Sequence, residues 1–386
     1  MSPLHFAGPT PWTDAKRHLW LLSPGLPLMA CLSLAGFAWR PAAAWCWVIP
    51  LLLFVVVPLL DAWIGNDSSN PPPAAVGPLE SDRHYLHLVL ASIPLQWLVT
   101  VLGAWCATQL SSSPAAWWGL VITVGAVNGL GINVGHELGH KHSCLLRRLA
   151  VLALAPSAYG HFRVEHNEGH HRHVATPQDP ASSRMGESFW QFLPRTVLGG
   201  LASAWSIESA RLARNGQRRW SWHNRNLRAW SASALLFSAL VAAFGLAMLP
   251  FALAQALYAV TLLEVVNYLE HYGLLRQTGE DGRFERCSPA HSWNSNSLVG
   301  NLLLYQLQRH SDHHANPARA YQALRHFDSS PQLPAGYATM LMLAYVPPLW
   351  FAVMDKRLVA HCQGDLRRAN VDARARPRLR RAFGQT

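Results

Sequence analysis

Six stretches of about 20 mostly apolar residues constrain this chain more than any other feature. They run over 19–39, 42–63, 86–108, 115–135, 230–249 and 251–270. Each is long enough to cross the roughly 30 Å of hydrocarbon in a bilayer as an α-helix. Inside hydrocarbon every backbone polar group needs an internal partner, so such segments span as helices. The expected fold class is therefore all-α, a polytopic membrane protein with six transmembrane helices. Short joints at Arg40-Pro41, Gln109 to Pro114 and Pro250 pair the runs into hairpins. No signal-peptide pattern precedes the first run, which reads as a retained span despite Pro24 and Pro27. Residues 338–354 are apolar but broken by Pro347-Pro348, so they read as an interfacial or buried helix. Segment 66–83, with Pro71-Pro72-Pro73, reads as a linker. The whole chain, 1–386, reads as one domain.

Charge placement orients the spans. Of the 32 Lys and Arg residues, only Arg40 falls on the side of the short joints. The positive-inside rule makes the other side cytoplasmic, so both termini are expected there, in a bacterial inner membrane. The same placement accounts for the net charge of +11 by topology and contact with anionic lipid, and it disfavours a nucleic-acid partner. Only 14% of residues are charged while 50% are hydrophobic, which excludes a disordered chain. The six Cys include no CxxC pair, which excludes a disulfide scaffold.

Twenty His residues remain to be explained. They group just beyond the cytoplasmic ends of spans, as a histidine-rich helical cap in segments of about 136–229 and 271–386. His136-Glu137-Leu138-Gly139-His140 ends the fourth run. Glu165-His166-Asn167-Glu168-Gly169-His170-His171 follows a helix-like run at 145–160. Glu270-His271 ends the sixth. His310-Ser311-Asp312-His313-His314 follows another apolar stretch, 298–307. Helix positions three or four apart share a face. That pairs His136 with His140, aligns His166 with His170 and His171 beside it, and makes His310, His313 and His314 a third face. Imidazole is the commonest metal-ligating side chain. Nine neutral ligands exceed one tetrahedral site and suit two metal ions. A His-rich set with few carboxylates points to iron and oxygen chemistry over structural zinc. Glu137, Glu165, Glu270 and Asp312 adjoin these ligands and are candidates for orienting the imidazoles.

His161, His173 and His291 lie near the cluster and are candidates only for such a supporting role. His5, His18, His84, His87, His142, His223, His326 and His361 read as surface or interfacial groups. A competing motif is present, because His136 to His140 matches HExxH, in which two His bind zinc and the Glu is a protease base. That chemistry needs one further ligand and leaves the other two groups without a role. A metal transporter would place ligands at mid-depth in the spans.

The motifs HELGHK (136–141), EHNEGHHRHVATPQDPASSRMGES (165–188), NYLEHYGLLR (267–276) and LQRHSDHHANPARAYQALRHF (307–327) resemble those of the bacterial integral-membrane alkane 1-monooxygenases. PLLDAWIG (58–65) and HSWNSN (291–296) extend the likeness, which runs over nearly the whole chain. The resemblance implies a six-span fold and a non-haem di-iron centre, with no haem or flavin. The implied iron ligands are His136, His140, His166, His170, His171, His271, His310, His313 and His314. It further implies O2-dependent hydroxylation of the terminal methyl of n-alkanes to primary alcohols. The implied electron donor is rubredoxin, reduced by an NADH-dependent rubredoxin reductase. The alkane would reach the cluster from the bilayer through an apolar tunnel, for which residues 51–57 of the second run are candidates.

Overall fold

The computed structural model describes residues 12–384, so His5 lies outside the described residues. Among the described residues the chain is helical, and its β pairing is confined to isolated bridges. Six helices are long and apolar enough to cross a membrane: Leu19–Trp39, Ala43–Ile64, Arg83–Leu110, Pro114–Gly139, Arg225–Phe244 and Met248–His271. The protein is thus a multi-pass membrane protein. Side-chain caps set several helix starts. The Asp82 carboxylate accepts from the His84 amide, the Ser113 hydroxyl from Ala116, and the Asn224 side chain from Asn226 and Leu227.

The spans differ from the hydropathy reading by up to five residues at their ends, the fifth starting at Arg225, and two of these shifts bear on the site and the last hairpin. The fourth span continues to Gly139, so its last turn carries His136. The turn between the last two spans lies at Gly245, not at Pro250. Gly245 has φ of 80°, which a residue without Cβ adopts freely. Pro250 instead sits in the first turn of the sixth span, where a missing N–H breaks no helical bond.

Burial ranks the spans. Within the fourth span's apolar window 72% is buried inside the protein, against 22% for the second and fifth. The fourth is therefore the central helix, and exposed Leu59 and Leu235 mark the lipid-facing sides of the other two. Between helices in lipid, close packing does the work that the hydrophobic effect does in water. Glycine in the fourth span permits it. A Cβ on Gly125 would lie 2.8 Å from the Gln255 carbonyl oxygen of the sixth span, and one on Gly131 would collide with the Gln96 amide of the third.

The run at 145–160 does not stay outside the bundle. Helix Cys144–Leu154 leaves the fourth span, packs back along it and turns through Ala155–Ser157 and left-handed Ala158. Its tip meets Gln96, thirteen residues or about 20 Å of helix into the third span from Arg83. The last carbonyls of a helix have no intrahelical partner, and hydrocarbon offers none. Gln96 Nε2 donates to the Ala153 carbonyl (2.9 Å), Trp97 Nε1 to Leu152 (3.0 Å) and Gln255 Nε2 to Pro156 (2.8 Å). Asn128 ties both glutamines together, accepting from Gln96 at 3.0 Å and donating to Gln255 at 2.6 Å. These mid-span amides hold a re-entrant segment whose rising limb delivers Phe162 to His173 to the histidine cluster.

The stretch 66–83 is not a free linker. Pro73–Ser81 is helical, and the chain before it grips the buried Arg309, whose guanidinium donates to the Asp67 and Ser69 carbonyls at 2.8 and 3.0 Å. A further helix, Phe189–Arg214, lies between the fourth and fifth spans. Helices Tyr337–Ala344 and Pro347–His361 meet at a 120° bend, which falls at the expected proline break.

Candidate metal centre

The nine histidines of the three boxes and the sixth span converge in two groups at one end of the bundle. His136, His140, His166, His171 and His313 form one, and His170, His271, His310 and His314 the other. The partition differs from the expected faces. His166 to His170 forms a π-helical turn, a wider coil common at functional sites. It brings His166 and His171, five residues apart, to a 3.0 Å contact between their Nε2 atoms. His170 is turned to the other group. In the short helix His310–Ala315, His310 and His314 share a side, with Nε2 atoms 2.8 Å apart. His313, a step of about 100° away, joins the first group.

The spacing within each group fits a bound ion. His313 Nε2 lies 2.8 Å from His136 Nε2 and 3.1 Å from His171 Nε2. His314 Nε2 lies 2.8 Å from His310 Nε2 and 3.2 Å from His170 Nε2. One N–H cannot serve two such neighbours, and facing lone pairs repel. Ligands about 2.1 Å from a shared ion sit roughly 3 Å apart when at right angles. The buried Nε2 atoms of His140 and His271 have no hydrogen-bond partner at all. Burial holds His166, His171, His310, His313 and His314 well below the usual imidazole value, so they are neutral and carry the lone pair a metal needs. Burial likewise pushes His140 down to about 3.

Two histidines have their second nitrogen held. His271 Nδ1 faces the His291 carbonyl at 3.4 Å, so His291 acts through its backbone. His170 Nδ1 lies 2.9 Å from Asp179 Oδ2. Burial alone would lower His170, but the adjacent Asp179 carboxylate outweighs it and raises its pKa. Asp179 in turn accepts from the Ser182 hydroxyl at 2.6 Å. Sequence reasoning did not single out Asp179, although it stands in the long 165–188 motif; no local spacing ties a carboxylate nine residues on to His170.

The four carboxylates next to these histidines in sequence divide. Glu270 Oε2 lies 3.2 Å from His310 Nε2, and its Oε1 accepts from the Tyr337 hydroxyl at 2.9 Å. Glu165 is buried beside the cluster, and burial pushes it up to about 8. Glu137 turns away to Lys141 at 2.7 Å, and Asp312 to Arg319 at 2.6 Å; no histidine is bonded to either. The placement of Glu137 removes the base that a protease reading of HExxH requires. His161 accepts from Trp230 at 3.4 Å. Neither it nor His173 enters a group, nor do the remaining described histidines.

Residues 112–344 match the model of the fatty acid desaturase family. Alkane 1-monooxygenase of Acinetobacter baylyi is 47% identical over 376 residues, covering 97% of this chain and 92% of the relative. The chain belongs to the alkane 1-monooxygenase family. Alkane 1-monooxygenase of Ectopseudomonas oleovorans is 42% identical, with 97% and 93% covered. The hydroxylase component XylM of the xylene/toluene monooxygenase of Pseudomonas putida is 27% identical, with 86% of each chain covered.

Two further features of this family member bear on chemistry. An apolar cavity of about 120 Å³ runs between the spans. Leu53, Phe54 and Val57 line it from the second span, while Leu51, Val55 and Val56 point outward. Asn133, one turn before His136, and Tyr337, bonded to Glu270, also line it. On the other side of the fourth span's end, a cleft of about 750 Å³ reaches His140 and is lined by Lys141, Arg147, Arg148, Arg163, Arg225 and Arg228 among others. Arg163 there makes no hydrogen bond or ion pair; burial, with Arg225 adding to it, holds its guanidinium below the usual value.

Proposed function

We propose that the protein hydroxylates the terminal methyl group of n-alkanes to primary alcohols, in a bacterial inner membrane with both termini and the active site cytoplasmic. The reading takes chain 1–386 as one catalytic unit and the nine histidines as ligands of two iron ions. One observation carries it: two convergent groups of neutral imidazoles close to an apolar cavity that opens among membrane spans. Relatives named alkane 1-monooxygenase over almost the full chain support it.

A terminal C–H bond is strong and nonpolar, so acid–base side chains cannot attack it. Two irons would supply activation of O2, placing one oxygen atom in the C–H bond and releasing the other as water with two electrons and two protons. The electrons come from rubredoxin, reduced by an NADH-dependent rubredoxin reductase. The chain's own contribution is positional. Leu53, Phe54 and Val57 admit a hydrocarbon and exclude water. Asp179 and the His291 carbonyl fix the rings of His170 and His271. Arg163 and its neighbours offer an acidic donor a landing surface that reaches His140.

Purified protein is expected to hold about two irons and, with rubredoxin, its reductase, NADH and O2, to convert octane to 1-octanol. One zinc with peptide cleavage would overturn the reading. His313→Ala should abolish hydroxylation, whereas an HExxH protease would give that residue no duty.

A further inference from the structure

Tyr337 differs from every other residue around the apolar cavity. It stands at the start of helix Tyr337–Ala344 and is 2% exposed. The cavity wall is otherwise apolar except for Asn133, whose side-chain N–H donates to the Leu304 carbonyl at 2.7 Å. Tyr337 is held at both ends by segments that carry metal-binding histidines. Its backbone N–H donates to Gln308 Oε1 at 2.9 Å, two residues before His310. Its hydroxyl donates to Glu270 Oε1 at 2.9 Å, next to His271, and the other oxygen of Glu270 lies 3.2 Å from His310 Nε2. The ring therefore forms cavity wall while the hydroxyl points out of the cavity toward the four-histidine group.

A buried side chain pinned at backbone and tip cannot swing aside without breaking two hydrogen bonds. Each broken bond would leave a buried polar group unpaired. A flexible alkane has no polar handle, so only the shape of the wall can decide which carbon stops beside the metals. Methyl and methylene C–H bonds differ little in polarity, and the secondary bond is the weaker. Attack at the chain end thus needs a barrier against further advance.

We propose that Tyr337 is the end-stop of the substrate cavity, a specificity-determining residue that holds the terminal methyl, and not the second carbon, at the four-histidine group. This rests on the alkane-hydroxylase reading above. Glu270 acts as a positioning residue for the ring, through its bond to the Tyr337 hydroxyl.

The test compares wild type, Tyr337→Phe and Tyr337→Leu in membranes, with octane and the complete donor system. Iron content and the ratio of 1-octanol to 2-octanol are measured for each. Tyr337→Phe keeps the ring and loses only the anchor; Tyr337→Leu shortens the wall and keeps it apolar. The expected result is unchanged iron and a 2-octanol share that rises at least several-fold in Tyr337→Leu, with a smaller rise in Tyr337→Phe. If both variants hold iron and make 1-octanol in the wild-type ratio, whatever their rate, the end-stop is wrong while the alkane-hydroxylase reading stands. If iron-loaded wild type makes no octanol, that reading itself fails. Should Tyr337→Leu fail to fold, Tyr337→Phe alone decides: a wild-type product ratio overturns the proposal and a raised 2-octanol share supports it.

Discussion

His170 Nδ1 lies 2.9 Å from Asp179 Oδ2, and the two side chains are 1% and 0% exposed. The contact fixes the imidazole so that Nε2 faces His314 Nε2 at 3.2 Å. Partners of this kind set ring orientation and ligand basicity. Asp179→Asn should therefore keep the fold and weaken metal retention by about 10- to 100-fold. Competition with a chelator, followed by metal analysis, measures it. Retention equal to wild type would deny Asp179 this role.

The cavity wall makes a second case. Leu53 faces the cavity within a π-helical stretch of the second span, Leu52–Val56. A cavity of about 120 Å³ has little room for an indole. Leu53→Trp should shift product profiles across C5 to C16 alkanes toward shorter chains, with turnover of the longest chains falling most. An unchanged chain-length preference would remove Leu53 from the substrate path.

The basic cleft over His140 gives a kinetic expectation. Opposite charges speed encounter, and salt screens them. Reduction of the metal centre by reduced rubredoxin should slow as ionic strength rises. Arg163→Gln combined with Arg148→Gln should lower the low-salt rate about tenfold and flatten that dependence. Reduction by dithionite should stay at the wild-type rate. Salt-independent transfer from the donor protein would rule out steering by this cleft.

Acid sensitivity should trace to Glu208. Burial alone would raise its pKa, but bonds from Arg211 and Arg225 overcome that and bring it down to about 2. Arg211 Nη2 and the Arg225 amide and guanidinium lie 2.6 to 2.7 Å away. The folded value is below the unfolded one, so the stabilisation is complete above about pH 5 and fades as pH falls toward 2. It amounts to about 3 kcal/mol at most. Thermal unfolding in detergent should fall along that limb in wild type. Glu208→Gln should be less stable at pH 7 and less pH-dependent below 5. A parallel pair of curves would exclude Glu208 as the origin.

What was legible in the sequence follows from local repetition. Twenty apolar residues in a row have one stable form in lipid, so six spans and the all-α class were readable from hydropathy. The His136/His140 and His310/His314 pairs were readable because three or four residues return a helix to the same side. The re-entrant helix Cys144–Leu154 was not, since its place depends on Gln96, Asn128 and Gln255 from three separate spans. Nor was the five-and-four division of the nine histidines, because a π-turn at His166–His170 changes the period on which face arguments rest.

The sequence by itself determined which residues enter lipid and which nine imidazoles gather at one end, because both depend on composition and near-neighbour spacing. Only the tertiary structure decided which imidazoles meet, that Glu137 and Asp312 turn away to cations, that Asp179 supports His170, and that Tyr337 joins the cavity to Glu270. The Glu137–Lys141 and Asp312–Arg319 pairs span four and seven residues, but the partner each carboxylate takes is settled by packing, and the longest of those relationships, His136 with His313, spans 177. Hydrogen-bond satisfaction in a buried interior selects such partners, and no short-range pattern encodes it.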